Sequence, residues 1–180
     1  MSTPYFLAID IETTHTDPKK GLILEIAWQL LDRDLATLRK RTFVVRQYDD
    51  FWSHWHSSEV IPLIRDMHDK SGLLADLEKG EGESLGFIYT VLSADLASVP
   101  EGIEVHALGK AVGNFDLAWL DAHGILPSHD LLSHRVLDIR SIKTFFALRG
   151  EGLVEPEFEG TEHRAADDVE DAVRWIRANA

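Results

Sequence analysis

Apolar residues run together or alternate in the first quarter of the chain, and later change to helical spacing. Tyr5 to Glu12 (YFLAIDIE) predicts a strand, Gly21 to Leu31 a second, mostly apolar one, and Thr42 to Arg46 a third. Asp17-Pro18 and Lys19-Lys20-Gly21 supply turn chemistry, so these strands predict an antiparallel meander. Leu85, Ile88, Tyr89, Leu92 and Leu96 then share one helical face, with Ser84 placed as its N-cap. Ile103 to Ala107 predicts a strand, and Phe115 to His123 a short helix stopped by Gly124. Val136 to Ile139 predicts a short strand and Ser141 to Leu148 a helix. The last helix runs from about Ala165 to Asn179, with Val169, Ala172, Val173 and Ile176 on its buried stripe.

This order predicts an α/β fold. A three-strand meander is followed by strand–helix–strand units, and helices cover both faces of a mixed sheet. Asp49 to Ser58, with its Trp-His cluster, and Gly150 to Glu162 read as surface loops. In the first loop, the Trp side chains are expected to cover the sheet edge and the His side chains to be solvated; stacking on unpaired bases is the alternative. No linker divides residues 1–180, so one domain is expected.

Composition narrows the function. The 180 residues suffice for a core without staples, and the absence of cysteine removes disulfides, thiolate metal sites and cysteine nucleophiles. The 18 basic and 31 acidic side chains give a formal charge of −13, which disfavours tracking of long duplex DNA through many phosphate contacts. Nucleic acid held through cations stays compatible with that charge. No stretch has the apolar length of a membrane span, and the start of the chain, with Asp10 and Glu12 in its apolar run, does not read as a signal peptide. A soluble cytoplasmic protein with no membrane partner is expected.

The candidate chemistry lies in carboxylates. Asp10 and Glu12 are two apart on one strand, so they point to one face about 7 Å apart. Buried there they repel and need a counter-charge; at a solvated strand end they need none. Asp116 opens a helix after a strand, where the helix dipole alone favours an acid. His163 and Asp168 are five apart and cannot share a helical face, so a joint role requires His163 on the loop before the last helix. Periodicity does not choose between Asp167 and Asp168.

Together these segments, AIDIET, VGNFDLAWL and EHRAADDVEDA, resemble the DEDDh family of 3′→5′ exonucleases, which have the ribonuclease H-like fold. Within it the chain is most similar to the oligoribonucleases, through GLILEIAWQLLDRDL, MHDKSGLL, HRVLDIRSIK and HRAADD. Two positions depart from that pattern: Gly109-Lys110-Ala111 stands in place of Gly-Asn-Ser, and His134 in place of a tyrosine. The resemblance implies two divalent cations, Mg²⁺ or Mn²⁺. Asp10 bridges them, Glu12 and Asp168 complete one site, Asp116 supports the other, and His163 is the general base. His68 and Ser71, in the oligoribonuclease-like stretch, become candidates for contact with substrate phosphate, with a surface helix start as the alternative. Arg135, Arg140 and Arg164 are candidates for phosphate contact, with ordinary surface charge as the default. Short single-stranded RNA or DNA is the implied substrate, nucleoside 5′-monophosphates the products and a homodimer a possible assembly. The rival readings are a DNA-trimming exonuclease of the same family and a non-catalytic nucleotide-binding module.

Overall fold

A computed structural model describes residues 4–48, 50–57 and 60–180. Its strands are β1 (Tyr5–Thr13), β2 (Ile23–Leu31), β3 (Thr37–Val44), β4 (Val105–Gly109) and β5 (Val136–Asp138). They form one sheet in the order β3-β2-β1-β4-β5. β1–β2 and β2–β3 pair antiparallel, and β1–β4 and β4–β5 pair parallel. The meander and the mixed sheet therefore stand as the sequence predicts.

Alternation along β1 sorts its side chains between two cores. Leu7, Ile9 and Ile11 meet Ile88, Leu92 and Leu96 of α4 (Leu85–Ala97) and Trp119 and Leu120 of α5 (Asp116–Ala122). Ala8 faces the other way, with Ala27 of β2, against Val169, Ala172, Val173 and Ile176 of α7 (Ala165–Asn179). Ile139, at the start of α6 (Ile139–Arg149), joins that second core. Two alanines on the sheet let the α7 backbone approach closely. By the same period of two, Asp10 and Glu12 lie on the α7 side. Ser84 caps α4, its Oγ accepting from the Phe87 N–H at 3.2 Å.

Three differences have physical causes. β3 begins at Thr37, not Thr42, because its outer residues Thr37, Leu38, Arg39 and Lys40 are exposed and show no apolar alternation. The strand is at the edge of the sheet, where solvent-facing charge is tolerated. Within the expected loop at Asp49 to Ser58, residues Phe51–Trp55 form a short helix, α1; Asp49 and Ser58 themselves lie outside the described residues. Phe51 and Trp55 are buried with Leu24, Leu73 and Leu77, so the Trp side chains do pack on the sheet. Finally, α2 (Pro62–Lys70) and α3 (Leu73–Glu78) were not expected. α2 escapes periodicity because its buried positions are Ile64 and His68, a histidine where an apolar residue would signal a face.

One buried ion pair fixes the start of α7. Glu25 of β2 is fully buried. Arg164, the residue before α7, reaches Glu25 Oε1 at 2.8 Å, and the Ala165 N–H donates to Glu25 Oε2 at 2.8 Å. Arg164 also pairs with Asp76 of α3 at 2.9 Å. Arg164 is thus a structural clamp rather than ordinary surface charge. Removing one partner of such a pair leaves an uncompensated buried charge, at a cost of about 3 kcal/mol. Arg164→Met is expected to lose about that much stability in urea unfolding, whereas Arg135→Met, at an exposed ion pair, should stay within about 0.5 kcal/mol of the parent.

Candidate active site

The end of β1, the start of α7, the turn after β4 and the last turns of α2 meet around a cleft of about 510 Å³. Asp10, Glu12, Asp116, His163 and Asp168 all line it, so the five residues singled out by the motifs converge. Among the described residues, one oxygen each from Asp10, Glu12 and Asp168 lie within 4.8 Å of one another. Asp116 stands deeper. It is 1% exposed, and its Oδ1 accepts from the Ile11 N–H at 3.1 Å, which locks the start of α5 to β1.

The structure separates the adjacent acids of α7. Asp168 turns into the cleft; the His163 N–H donates to its Oδ2 at 3.2 Å. Asp167 turns to the preceding loop and accepts from the Thr161 N–H at 2.8 Å. A Cβ on Gly160 would sit 2.8 Å from that of Asp167, so a glycine is what lets the loop pass. His163 lies on this loop, before the helix, with a left-handed backbone (φ 63°) that its bond to Asp168 helps hold.

Ala111 has the same left-handed φ of 63°, in the turn after β4. Gly109 opens that turn: a Cβ there would lie 3.0 Å from the Ile9 carbonyl and 3.1 Å from Val112. Between them, Lys110 extends into the cleft. Its Nζ is 3.3 Å from Asp168 Oδ1 and 2.7 Å from Asp171 Oδ2. Arg140 also lines the cleft, from the first turn of α6.

The remaining candidates divide. His68 is fully buried in the last turn of α2, not at a surface helix start. Its Nε2 meets the Thr13 carbonyl at 2.9 Å. Since that carbonyl only accepts, Nε2 carries the proton, and Nδ1 faces Glu12 Oε2 at 3.9 Å as an acceptor. Ser71 lines an adjoining cleft rather than the acidic one, and its Oγ donates to the His68 carbonyl at 3.3 Å. Arg135 does not line either cleft; it is exposed and pairs with Glu104 at 2.9 Å. Leu63, Met67 and Phe115, apolar walls of the acidic cleft, carried no signal that distinguishes them from core residues.

Crowding shifts the acids upward. Burial, then the charges of Asp116, Glu12 and Asp168, hold the Asp10 carboxyl well above its usual range, with Lys110 acting in the opposite direction. Burial, then Asp168 and Glu25, push Glu12 up to about 8. Burial pushes Asp116 up to about 7 against its backbone hydrogen bonds and Arg140. Burial lowers His68, which keeps it neutral and agrees with the tautomer assigned above. Lys110 and Arg140 offset the four carboxylates only in part, and the carboxylate oxygens are the donors that hard divalent cations prefer. The residues present fit such ions.

No protein-family model matches the chain. Along 94% of its length it is similar to oligoribonucleases. It is 26% identical to that of Mycobacterium sp. (strain KMS) and 27% identical to the mitochondrial one of Mus musculus, covering 76% and 69% of those proteins. The oligoribonuclease of Aeromonas hydrophila is 24% identical, with 90% of it covered. Among solved structures, E. coli exonuclease I, in a zinc-bound complex with single-stranded DNA, superposes with a TM-score of 0.71 at 18% identity. Exonuclease I of Methylocaldum szegediense superposes with a TM-score of 0.68 at 19% identity. This chain spans about two fifths of those exonuclease I chains. The fold is the ribonuclease H-like one of exonuclease I, as the motifs implied.

The raised carboxyls set a pH dependence. Asp10, Glu12 and Asp116 hold protons more tightly when folded than when unfolded. Their contribution to metal-free stability is complete below the unfolded carboxylate range, about pH 4, and is lost as pH rises through about 7 to 8. The melting temperature in chelator is expected to fall between about pH 5.5 and about pH 8.5. Added Mn²⁺ should reverse the loss at the upper end, because it binds the deprotonated ligands. Thermal melts at the two pH values, with chelator and with Mn²⁺, check both signs.

Proposed function

We infer that this chain, a relative of the oligoribonucleases with the fold of exonuclease I, is a metal-dependent 3′→5′ exonuclease acting on short single strands. The observation that carries this reading is the convergence of Asp10, Glu12 and Asp168, from opposite ends of the sequence, in one cleft beside His163. On this reading residues 1–180 form one exonuclease domain. The products are nucleoside 5′-monophosphates.

Asp10, Glu12 and Asp168 would hold one cation, and Asp116 would support a second. When bound, two such ions, Mg²⁺ or Mn²⁺, stabilise charge on the attacking and leaving oxygens of an in-line displacement. His163 takes the proton from the attacking water, whose oxygen forms the new bond to phosphorus as the bond to the 3′-oxygen breaks. An imidazole can take up and release a proton in this step, which suits a general base. His68, its ring fixed by the Thr13 carbonyl, packs beside Glu12. Arg140, at the cleft, is the candidate for phosphate contact, in place of Arg135 and Arg164.

The apolar walls at Leu63, Met67 and Phe115 suit the faces of nucleobases. A cleft of about 510 Å³ is in the range of small-ligand sites, which favours a footprint of a few nucleotides. The charge of −13 points the same way. The oligoribonuclease relatives favour the short-substrate reading over DNA trimming. The complete acidic set favours an enzyme over a silent nucleotide-binding module.

Incubation of a labelled five-base RNA with Mn²⁺ is expected to release mononucleotides from the 3′ end. Asp10→Ala, Glu12→Ala, Asp116→Ala and Asp168→Ala should each nearly abolish release, since ligands of one site act as a unit. Asp167→Ala should retain it. His163→Ala should lower kcat by roughly 10²–10⁴-fold with little change in substrate affinity. Activity in Asp168→Ala with loss in Asp167→Ala would contradict the assignment of the last motif. A panel of RNA and DNA strands from two to twenty nucleotides decides between the short-substrate and DNA-trimming readings.

A further inference from the structure

Lys110 is a cation of the chain's own placed on one of the acidic oxygens that the cleft offers to a metal. Its Nζ lies 3.3 Å from Asp168 Oδ1, while Asp171, one turn further along α7, anchors it at 2.7 Å. The side chain is 30% exposed, against 21% for Asp168 and 18% for Asp171, so the pair is partly shielded from solvent. Its approach is fixed by the backbone: Gly109 packs under the Ile9 carbonyl, and Ala111 turns left-handed immediately after. The other Asp168 oxygen is engaged by the His163 N–H. Both carboxylate oxygens of Asp168 are therefore already in use.

A divalent cation held by Asp10, Glu12 and Asp168 would lie near this ammonium, because the three residues bring oxygens within 4.8 Å of one another and Lys110 already touches Asp168. Two positive charges at such range in a partly shielded cleft repel. The same ammonium offsets the mutual repulsion of the acids when no metal is bound. We propose that Lys110 is a tethered competitor of the metal: it holds Asp168 in place in the metal-free protein and weakens divalent-cation binding there. This inference rests on the metal site argued above. It adds a residue that sets the metal concentration the protein requires.

The test is Mn²⁺ binding to the full chain, followed by electron paramagnetic resonance of the free ion and by calorimetry, without substrate. Lys110→Met keeps the apolar stem and removes the charge. It is expected to bind Mn²⁺ about tenfold more tightly than wild type, and to melt lower in chelator, so that its metal-induced gain in melting temperature is the larger. Lys110→Arg keeps the charge and should retain the weaker affinity. Lys110→Gln carries the same expectation as the methionine variant should that protein fail to fold by circular dichroism. Unchanged or weaker Mn²⁺ binding in a folded neutral variant, even with a lower melting temperature, makes Lys110 a purely structural tie and overturns the proposal. Absence of Mn²⁺ binding by both wild type and neutral variant overturns the metal site itself, and this inference with it.

Discussion

Glu25 sits fully buried in the middle of a strand that is buried along its whole length, and a lone carboxylate there would be expelled or neutralised. Arg164 and the Ala165 N–H supply the partners it needs there. This requirement reaches far beyond the pair. To satisfy Glu25, the first residue of α7 must sit against β2 at one height, directly beside Glu12, whose register partner is Glu25. Once that height is set, the pitch of α7 places Asp168 over the acids of β1 and leaves His163 on the loop above them. The geometry of the cleft thus follows from an ion pair that does not line it.

The site is also shaped by its own repulsion. Asp10, Glu12 and Asp116 are held close by strand alternation, by burial and by the Ile11 hydrogen bond. Their crowding favours the protonated forms, and a cation is the partner that would relieve it. The two left-handed residues, His163 and Ala111, both line the cleft.

Much of this was legible in the sequence where a local rule carried it. Strand alternation put Asp10 and Glu12 on one face, and the Ser84 cap and the α4 stripe follow from helical period alone. The five residues of the cleft were identified by motif order, a resemblance, because no local rule links Asp10 to Asp168. Asp167 and Asp168 differ by the loop contact at Gly160 and Thr161, which is tertiary. Arg164 and His68 misled for one reason: a charged or polar residue reads as surface unless its buried partner, Glu25 or the Thr13 carbonyl, is known. α1 and α3 are too short for a period to repeat.

The charged edge of the sheet has a consequence of another kind. β3 leaves one row of backbone hydrogen-bonding groups without a strand beside it, and such a row invites a second copy to add to the sheet. Arg39, Lys40 and Arg41 line that edge in succession, tied to Asp95 and Glu170 of the same chain. Two copies meeting edge to edge along β3 would set basic side chains against basic side chains. The stretch that concealed the strand from apolar periodicity is therefore also a guard against aggregation while the protein is being made and folded.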